Sequence, residues 1–174
     1  MKLFGIAGWS GSGKTTLVAA LVPALIGRGL SVSTVKHAGH GFDLDRPGKD
    51  SIRHRQAGAS EVLITSPERW AIIHELRDES EPPLPELLAR MTPVDLVLIE
   101  GFKAAPHEKI EVWREANDKP PLFPNDPHIV AVACDTSPPG CTLPLLPLAD
   151  GDAVAAFIVA HCGLAGKTAA RRRA

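Results

Sequence analysis

The chain has 174 residues, and its 19 basic and 20 acidic residues give a formal net charge of −1 at pH 7. This balance argues against general nucleic-acid binding, for which a clear excess of positive charge is expected. Three cysteines without a C-x-x-C pair argue against a disulfide framework or a zinc site and are typical of a cytoplasmic protein. We expect neither a signal peptide nor a membrane span, because no apolar run approaches about 18 residues. The expected organisation is one nucleotide-binding domain at residues 1–163 and a flexible basic tail at 164–174.

The first predicted elements are a strand at residues 2–7 and a helix at residues 13–28, joined by a phosphate-loop motif at residues 8–15. The motif matches G-x-x-x-x-G-K-[ST] at every fixed position and has the strand and helix that the pattern requires on either side. Its glycines let backbone N–H groups converge on a phosphate, and the helix adds the positive end of its dipole. A merely flexible loop would not explain a Lys-Thr pair at the start of a helix. The predicted nucleotide-binding residues here are Gly8, Ser10, Gly11, Ser12, Gly13, Lys14, Thr15 and Thr16.

Three side chains are predicted to carry the phosphate and magnesium chemistry. Lys14 is expected to reach the β- and γ-phosphates, and Thr15 to offer its hydroxyl to Mg²⁺. The strand predicted at residues 94–99 is almost entirely apolar, as in the middle of a sheet covered on both faces, and Glu100 follows it. Glu100 is expected to hold the magnesium ion and to act with Lys14 in catalysis, although an ordinary exposed acid is the alternative. Asp95, near the start of the same strand, is predicted to be structural.

A second predicted strand, at residues 31–35, runs parallel to the first and ends in Lys36 and His37, which should face the nucleotide. The polar loop at residues 38–49 follows and contains His40, Asp43 and Asp45. Our first interpretation is a segment that senses the γ-phosphate, with Asp43 at the magnesium ion and Asp45 in catalysis. An ordinary polar loop ranks second. A transition-metal site ranks third, because imidazole and carboxylate are suitable ligands but the spacing fits no metal signature.

The middle of the chain is predicted to hold a short helix at residues 52–57, an antiparallel hairpin at 61–65 and 69–74, and a helix at 84–91. The run Arg53, His54 and Arg55 could face an anionic ligand or a partner subunit. A solvated basic face is at least as good an explanation.

The last predicted strands occupy residues 109–113 and 128–133, and Asp150 is expected to cap a final helix at 153–162. Asp135 follows the last strand and could accept paired hydrogen bonds from guanine, although no N-K-x-D element is present. The predicted fold is an α/β phosphate-loop NTPase fold, with a mostly parallel sheet flanked by helices and a β-hairpin extension.

Taken together, these motifs resemble those of the molybdopterin-guanine dinucleotide biosynthesis adaptor (MobB) family over about the first 135 residues. The resemblance rests on residues 8–16, 34–37, 42–51, 53–55, 57–59 and 98–103, of which 42–51 are the most distinctive. It implies GTP binding with Mg²⁺, weak intrinsic hydrolysis and a homodimer. It also implies a supporting role beside the molybdopterin guanylyltransferase, which joins GMP to molybdopterin, among the proteins that make the molybdenum cofactor.

Two other functions remain open from the residues. A small-molecule kinase should carry an arginine-rich lid, for which residues 53–55 are the one candidate. A GTP-driven metal-insertion chaperone would use His37 and His40. We expect slow turnover, because fast hydrolysis needs a group that orients water and a cation that neutralises developing charge, and the sequence offers no clear candidate for either.

Overall fold

The computed structural model describes residues 1–39, 41–42, 50–102 and 105–165. The strands are β1 (Lys2–Ala7), β2 (Val32–Lys36), β3 (Glu61–Thr65), β4 (Trp70–His74), β5 (Leu96–Glu100), β6 (Lys109–Trp113), β7 (Ile129–Cys134) and β8 (Leu145–Pro147). The α-helices are α1 (Lys14–Ile26), α2 (Asp50–Gln56), α3 (Leu84–Ala89) and α4 (Gly151–His161). The chain divides into two compact units, one made of residues 1–37 and those from 92 onwards, the other of residues 38–91.

The first unit contains a six-stranded sheet in the order β2-β5-β1-β6-β7-β8, in which every neighbouring pair is parallel. Sheet, flanking helices and hairpin confirm the predicted fold class. β2 is parallel to β1, as expected, but β5 lies between them. The sequence analysis missed β8, whose three residues end in proline and carry no periodic signal. The phosphate-loop strand β1 is therefore central, with β5 on one side and β6 on the other.

Helices α1 and α4 pack on one face of this sheet. Alternate strand residues, such as Phe4 and Ile6 of β1, form one core cluster with Leu21 of α1 and Ile158 of α4, all fully buried. Asp150 caps α4, since its Oδ1 accepts a hydrogen bond from the backbone N–H of Ala153 at 2.9 Å. Leu164, the residue after the predicted end of the domain, is 2% exposed and belongs to the same core. Residues 166–174 of the predicted tail lie outside the described residues.

The opposite face of β6 carries charged side chains that are buried. Lys109 and Glu111 are 1% and 0% exposed. The Lys109 ammonium donates to the carbonyl of Ala105 at 3.0 Å and to Oδ2 of Asp126 at 3.1 Å. The Glu111 carboxylate accepts hydrogen bonds from the backbone N–H groups of Leu122 and Phe123, at 2.7 and 2.9 Å. These contacts fix residues 114–127, which follow β6, onto the sheet. We call residues 114–127 the covering segment.

The second unit consists of α2, α3 and the antiparallel hairpin β3–β4, which confirms the predicted hairpin. On one face of the hairpin, Leu63 pairs with Ile72, and the next pair on the same face, Thr65–Trp70, contains a tryptophan. These three side chains are 60%, 50% and 68% exposed, an unusual apolar surface for a short hairpin. We call it the hairpin face.

No helix among the described residues is long and apolar enough to span a lipid bilayer. All three cysteines are free thiols, with Cys134 and Cys162 buried.

Candidate functional site

The phosphate loop runs from the end of β1 to the start of α1 and depends on its glycines. Gly8, Gly11 and Gly13 have φ angles of 140°, 80° and 101°, which other residues rarely adopt. A Cβ atom at Gly8 would lie 2.5 Å from the carbonyl oxygen of Val112 and 2.8 Å from Oγ of Ser12. The loop therefore lies directly against the end of β6, and only glycine fits at its first position.

The polar groups of the loop suit an anionic ligand. The Ser12 side chain is 1% exposed, and its buried hydroxyl has no hydrogen-bond partner among the described residues. The Lys14 ammonium curls back over the loop and donates to the carbonyl of Trp9 at 2.7 Å. Ser10 and Thr16 are exposed at the surface of the same loop and helix. This combination of a glycine cradle, an ammonium and a buried hydroxyl fits the phosphate groups of a nucleotide.

Thr15 and Glu100, predicted from separate motifs, meet at the edge of the sheet. Oγ1 of Thr15 donates to Oε1 of Glu100 at 2.8 Å, because β5 and β1 are neighbours and end at the same edge. The Lys36 ammonium lies 3.5 Å from the same carboxylate oxygen. A hydroxyl beside a carboxylate at the mouth of a phosphate loop is the ligand set that Mg²⁺ takes in this setting.

His37, at the end of β2, packs against the next residues of the β5 edge. Its ring lies 4.5 Å from the ring of Phe102, measured between centroids. A Cβ atom at Gly101 would lie 2.7 Å from Cβ of His37, and Gly101 has a φ of 101°. His37 thus has a packing role beside Glu100. Asp95, predicted to be structural, accepts the backbone N–H and the hydroxyl of Ser31 at 2.9 and 2.7 Å.

Asp135 lies immediately after β7, at the same edge of the sheet but two strands away from β1. It is exposed, and its Oδ1 accepts the backbone N–H of Thr136 at 3.0 Å. Strand spacing places it about 10 Å from the line of β1. Its predicted contact with guanine stays a prediction.

Three predicted residues, His40, Asp43 and Asp45, lie outside the described residues, so their proposed roles stay predictions. Within residues 1–39, 41–42, 50–102 and 105–165, no three His, Cys, Asp or Glu side chains are grouped so as to hold a metal ion. Of the basic run in α2, Arg55 is paired with Glu75 at 2.8 Å and Arg53 lies 3.7 Å from Asp50, both within the second unit.

The sequence analysis missed the residues that the covering segment brings to the phosphate loop. Nδ2 of Asn117 donates to the carbonyl of Ser10 at 3.1 Å, and the indole N–H of Trp9 donates to the carbonyl of Pro120 at 2.8 Å. Arg114, the first residue after β6, places its guanidinium beside Gly13. The sequence signal was weak, since an arginine directly after a predicted strand lies at the edge of the sheet that carries the phosphate loop, but the sequence does not indicate which strand lies beside β1.

Comparisons with known proteins agree on one family. The family model described as molybdopterin guanine dinucleotide synthesis protein B (MobB) matches residues 3–135. The molybdopterin-guanine dinucleotide biosynthesis adapter protein of Escherichia coli K12 is 42% identical over 162 residues, 91% of this chain and 92% of that protein. The adapter protein of Haemophilus influenzae is 46% identical over 136 residues, 76% and 74% of the two chains.

Solved structures extend the likeness to three dimensions. A crystal structure described as molybdopterin-guanine biosynthesis protein B is 30% identical, with a TM-score of 0.72, over 91% of this chain and 99% of that one. The structure of Bacillus subtilis MobB, at 24% identity, has a TM-score of 0.74 over 93% of this chain and 98% of that one, and supports the fold.

Proposed function

The chain belongs to the MobB family, whose members serve the biosynthesis of molybdopterin guanine dinucleotide, and on that premise we propose that it is a GTP-binding adaptor with weak GTPase activity. In this proposal it works in the cytoplasm beside the molybdopterin guanylyltransferase, the enzyme that joins GMP to molybdopterin. GTP and Mg²⁺ are its ligands.

The observation that carries the nucleotide proposal is the 2.8 Å contact between Thr15 and Glu100 beside the phosphate loop. In the proposed complex, the loop N–H groups and Lys14 hold the phosphates, and Thr15 and Glu100 hold Mg²⁺, with Lys36 next to the carboxylate. The ion would neutralise charge on the β- and γ-phosphates. Asp135, across the sheet at the end of β7, is the residue we assign to guanine.

Slow intrinsic hydrolysis is part of the proposal. Fast turnover requires both a water-orienting group and a cation near the γ-phosphate, and an arginine there contributes about 10³–10⁵ in rate. Glu100 is assigned to Mg²⁺, and Arg114 follows β6, on the other side of β1 from Glu100. We therefore expect the isolated protein to release phosphate slowly and a partner to accelerate it.

Binding measurements with GTP and with ATP, each with Mg²⁺ and with EDTA, test the proposal. We expect a preference for GTP, a requirement for Mg²⁺, and about 10- to 100-fold weaker binding in Lys14→Ala, the loss expected for a charged hydrogen bond. Glu100→Gln should mainly reduce the effect of Mg²⁺. The control is Arg90→Gln, since Arg90 pairs with Glu86 on the exposed surface of α3. Equal affinity for ATP, or transfer of phosphate to a metabolite, would favour a kinase instead.

The adaptor role has its own test. Purified molybdopterin guanylyltransferase, supplied with molybdopterin and with GTP as the GMP donor, should form the guanine dinucleotide faster when this protein is present. Lys14→Ala should remove the gain. An unchanged rate with the wild-type protein contradicts the adaptor role while leaving nucleotide binding intact.

We also propose that a second copy of the chain covers the hairpin face. Leu63, Trp70 and Ile72 are at least half exposed, and aromatic anchors of this kind dominate subunit contacts. Trp70→Ser should weaken self-association by about 30-fold or more, the effect of losing about 2 kcal/mol. Sedimentation equilibrium measures this, with Ile26→Ser as control because Ile26 is an apolar residue on α1 that is also more than half exposed. A dimer that Trp70→Ser leaves unchanged contradicts the assignment.

A further inference from the structure

We propose that Arg114 is a phosphate-binding residue of the nucleotide site and that it binds the phosphates nearest the nucleoside. This inference rests on the proposed function, because it requires a nucleotide in the phosphate loop.

The position of Arg114 follows from the order of the strands. Arg114 is the first residue after β6, and β6 pairs with β1, which leads into the phosphate loop. A Cβ atom at Gly13 would lie 3.6 Å from both Nε and Nη2 of Arg114. Gly13 is the glycine that precedes the Lys14-Thr15 pair, so the guanidinium lies over the start of α1.

The backbone around Arg114 is fixed to the loop at two points. Asn117 donates to the carbonyl of Ser10, and Trp9 donates to the carbonyl of Pro120. Farther along the covering segment, the backbone N–H groups of Leu122 and Phe123 donate to the carboxylate of Glu111 in β6. The backbone that carries the guanidinium is therefore held in place by these hydrogen bonds. Little further ordering is needed when the guanidinium binds an anion.

The Arg114 guanidinium has no hydrogen-bond or ion-pair partner within the part of the chain that the structure describes. The other arginines of the described residues each form a hydrogen bond or an ion pair with a carboxylate or a carbonyl: Arg28, Arg53, Arg55, Arg69, Arg77 and Arg90. Among the described residues, Arg114 makes neither an ion pair nor a side-chain hydrogen bond, and it is exposed. Arginine stays protonated and offers a planar fork of donors that matches phosphate oxygens. A cation held in this way beside a phosphate loop is available to an anionic ligand.

The side from which Arg114 approaches decides which phosphates it serves. Thr15 and Glu100 lie on the β5 side of β1, where Mg²⁺ is proposed to bridge the β- and γ-phosphates. Arg114 lies on the β6 side, between β1 and the β7 end where Asp135 is assigned to guanine. A nucleotide that extends from the Mg²⁺ site on the β5 side to Asp135 after β7 therefore has its α- and β-phosphates next to Arg114. GDP and GTP share these two phosphates.

Binding of GDP and of a non-hydrolysable GTP analogue, each with Mg²⁺, tests the proposal in Arg114→Gln and Arg114→Lys. Arg114→Gln should weaken both ligands by the same factor, about 10- to 100-fold, as expected for a charged hydrogen bond. Arg114→Lys should lose less, because it keeps the charge but not the fork. Both variants should fold normally, since the side chain loses no hydrogen bond or ion pair to any of the described residues, and thermal unfolding without nucleotide checks this.

Two results overturn the proposal: affinities like those of wild type and of the Arg90→Gln control, or a loss confined to the triphosphate analogue. In either case the proposed function stands if Lys14→Ala loses binding in the same assay. A wild-type protein that binds neither ligand overturns both proposals together.

Discussion

Replacing Gly8 by alanine should lower the free energy of unfolding by more than backbone strain alone, because the new methyl group also clashes with its neighbours. At a φ of 140°, a residue with a Cβ atom carries about 1–3 kcal/mol of backbone strain. The new methyl group would also meet the Val112 carbonyl at 2.5 Å and the Ser12 hydroxyl at 2.8 Å. Overpacking of this kind costs about 1–3 kcal/mol. The expected loss of unfolding free energy is therefore about 2–6 kcal/mol, the sum of the two costs.

Gly140→Ala is the matched control for this experiment. Gly140 also has a positive φ, of 70°, but a Cβ atom there would meet nothing within 4 Å. The Gly140→Ala variant should therefore lose only the free energy of unfolding that backbone strain costs, about 1–2 kcal/mol. Urea unfolding of the two variants without ligand gives the difference directly, and nucleotide titration should show lost binding in Gly8→Ala and normal binding in Gly140→Ala. Equal urea midpoints for the two variants would refute the steric reasoning.

Three further changes test other parts of the structure. Glu111→Gln should cost about 1–3 kcal/mol in urea unfolding, because an amide cannot accept both backbone N–H groups that the carboxylate holds; no loss would show that the carboxylate does not fix the covering segment. Burial, aided by the nearby Lys109 ammonium, holds the pKa of His107 below its ordinary value of about 6.5. As pH falls through about 6.5, the imidazole of His107 is therefore protonated in the unfolded chain before it is protonated in the folded protein, so the free energy of unfolding should decrease there. This decrease should be smaller in His107→Gln. Identical pH profiles of stability for the variant and the wild type would refute the assignment. Hydrogen bonds that the His74 ring donates to the carboxylates of Glu61 and then Glu79 raise the pKa of His74, so the stability that this residue contributes is present at low pH and lost as pH rises through that raised pKa. NMR titration should show a lower His74 pKa in Glu61→Gln, and an unchanged value would contradict the pairing.

The sequence predicted the parts of the site that follow general rules. The phosphate-loop pattern placed Lys14 and Thr15, and an apolar strand that ends in an acid placed Glu100. Because parallel strands end at one edge of a sheet, two motifs 85 residues apart could be predicted to meet, and the structure brings them to 2.8 Å. The hairpin was equally clear, since two strand-like runs rich in apolar and β-branched residues flank the Ser66-Pro67 turn.

What the sequence could not predict depends on partners in irregular segments. Charges at alternate positions of a strand, such as Lys109 and Glu111, ordinarily face solvent, yet both are buried here. Their partners are backbone N–H groups and Asp126 in a proline-rich segment without periodicity. Arg114 was missed for the same reason, because nothing in its own neighbourhood indicates that β6 pairs with β1.

The strand order has a consequence for how the chain folds during synthesis. Leu96 of β5 pairs with both Lys2 of β1 and Val32 of β2, so neither early strand has its neighbour until β5 has been made. The 64 residues that follow Lys36, up to and including Glu100, take about 3–13 s to synthesise at about 5–20 residues per second. During that time β1 and β2 expose unpaired edges, whereas the hairpin can form from local contacts. The nascent chain is therefore most exposed to aggregation before Glu100 emerges, and slower translation or an early-binding chaperone should change its yield of folded protein.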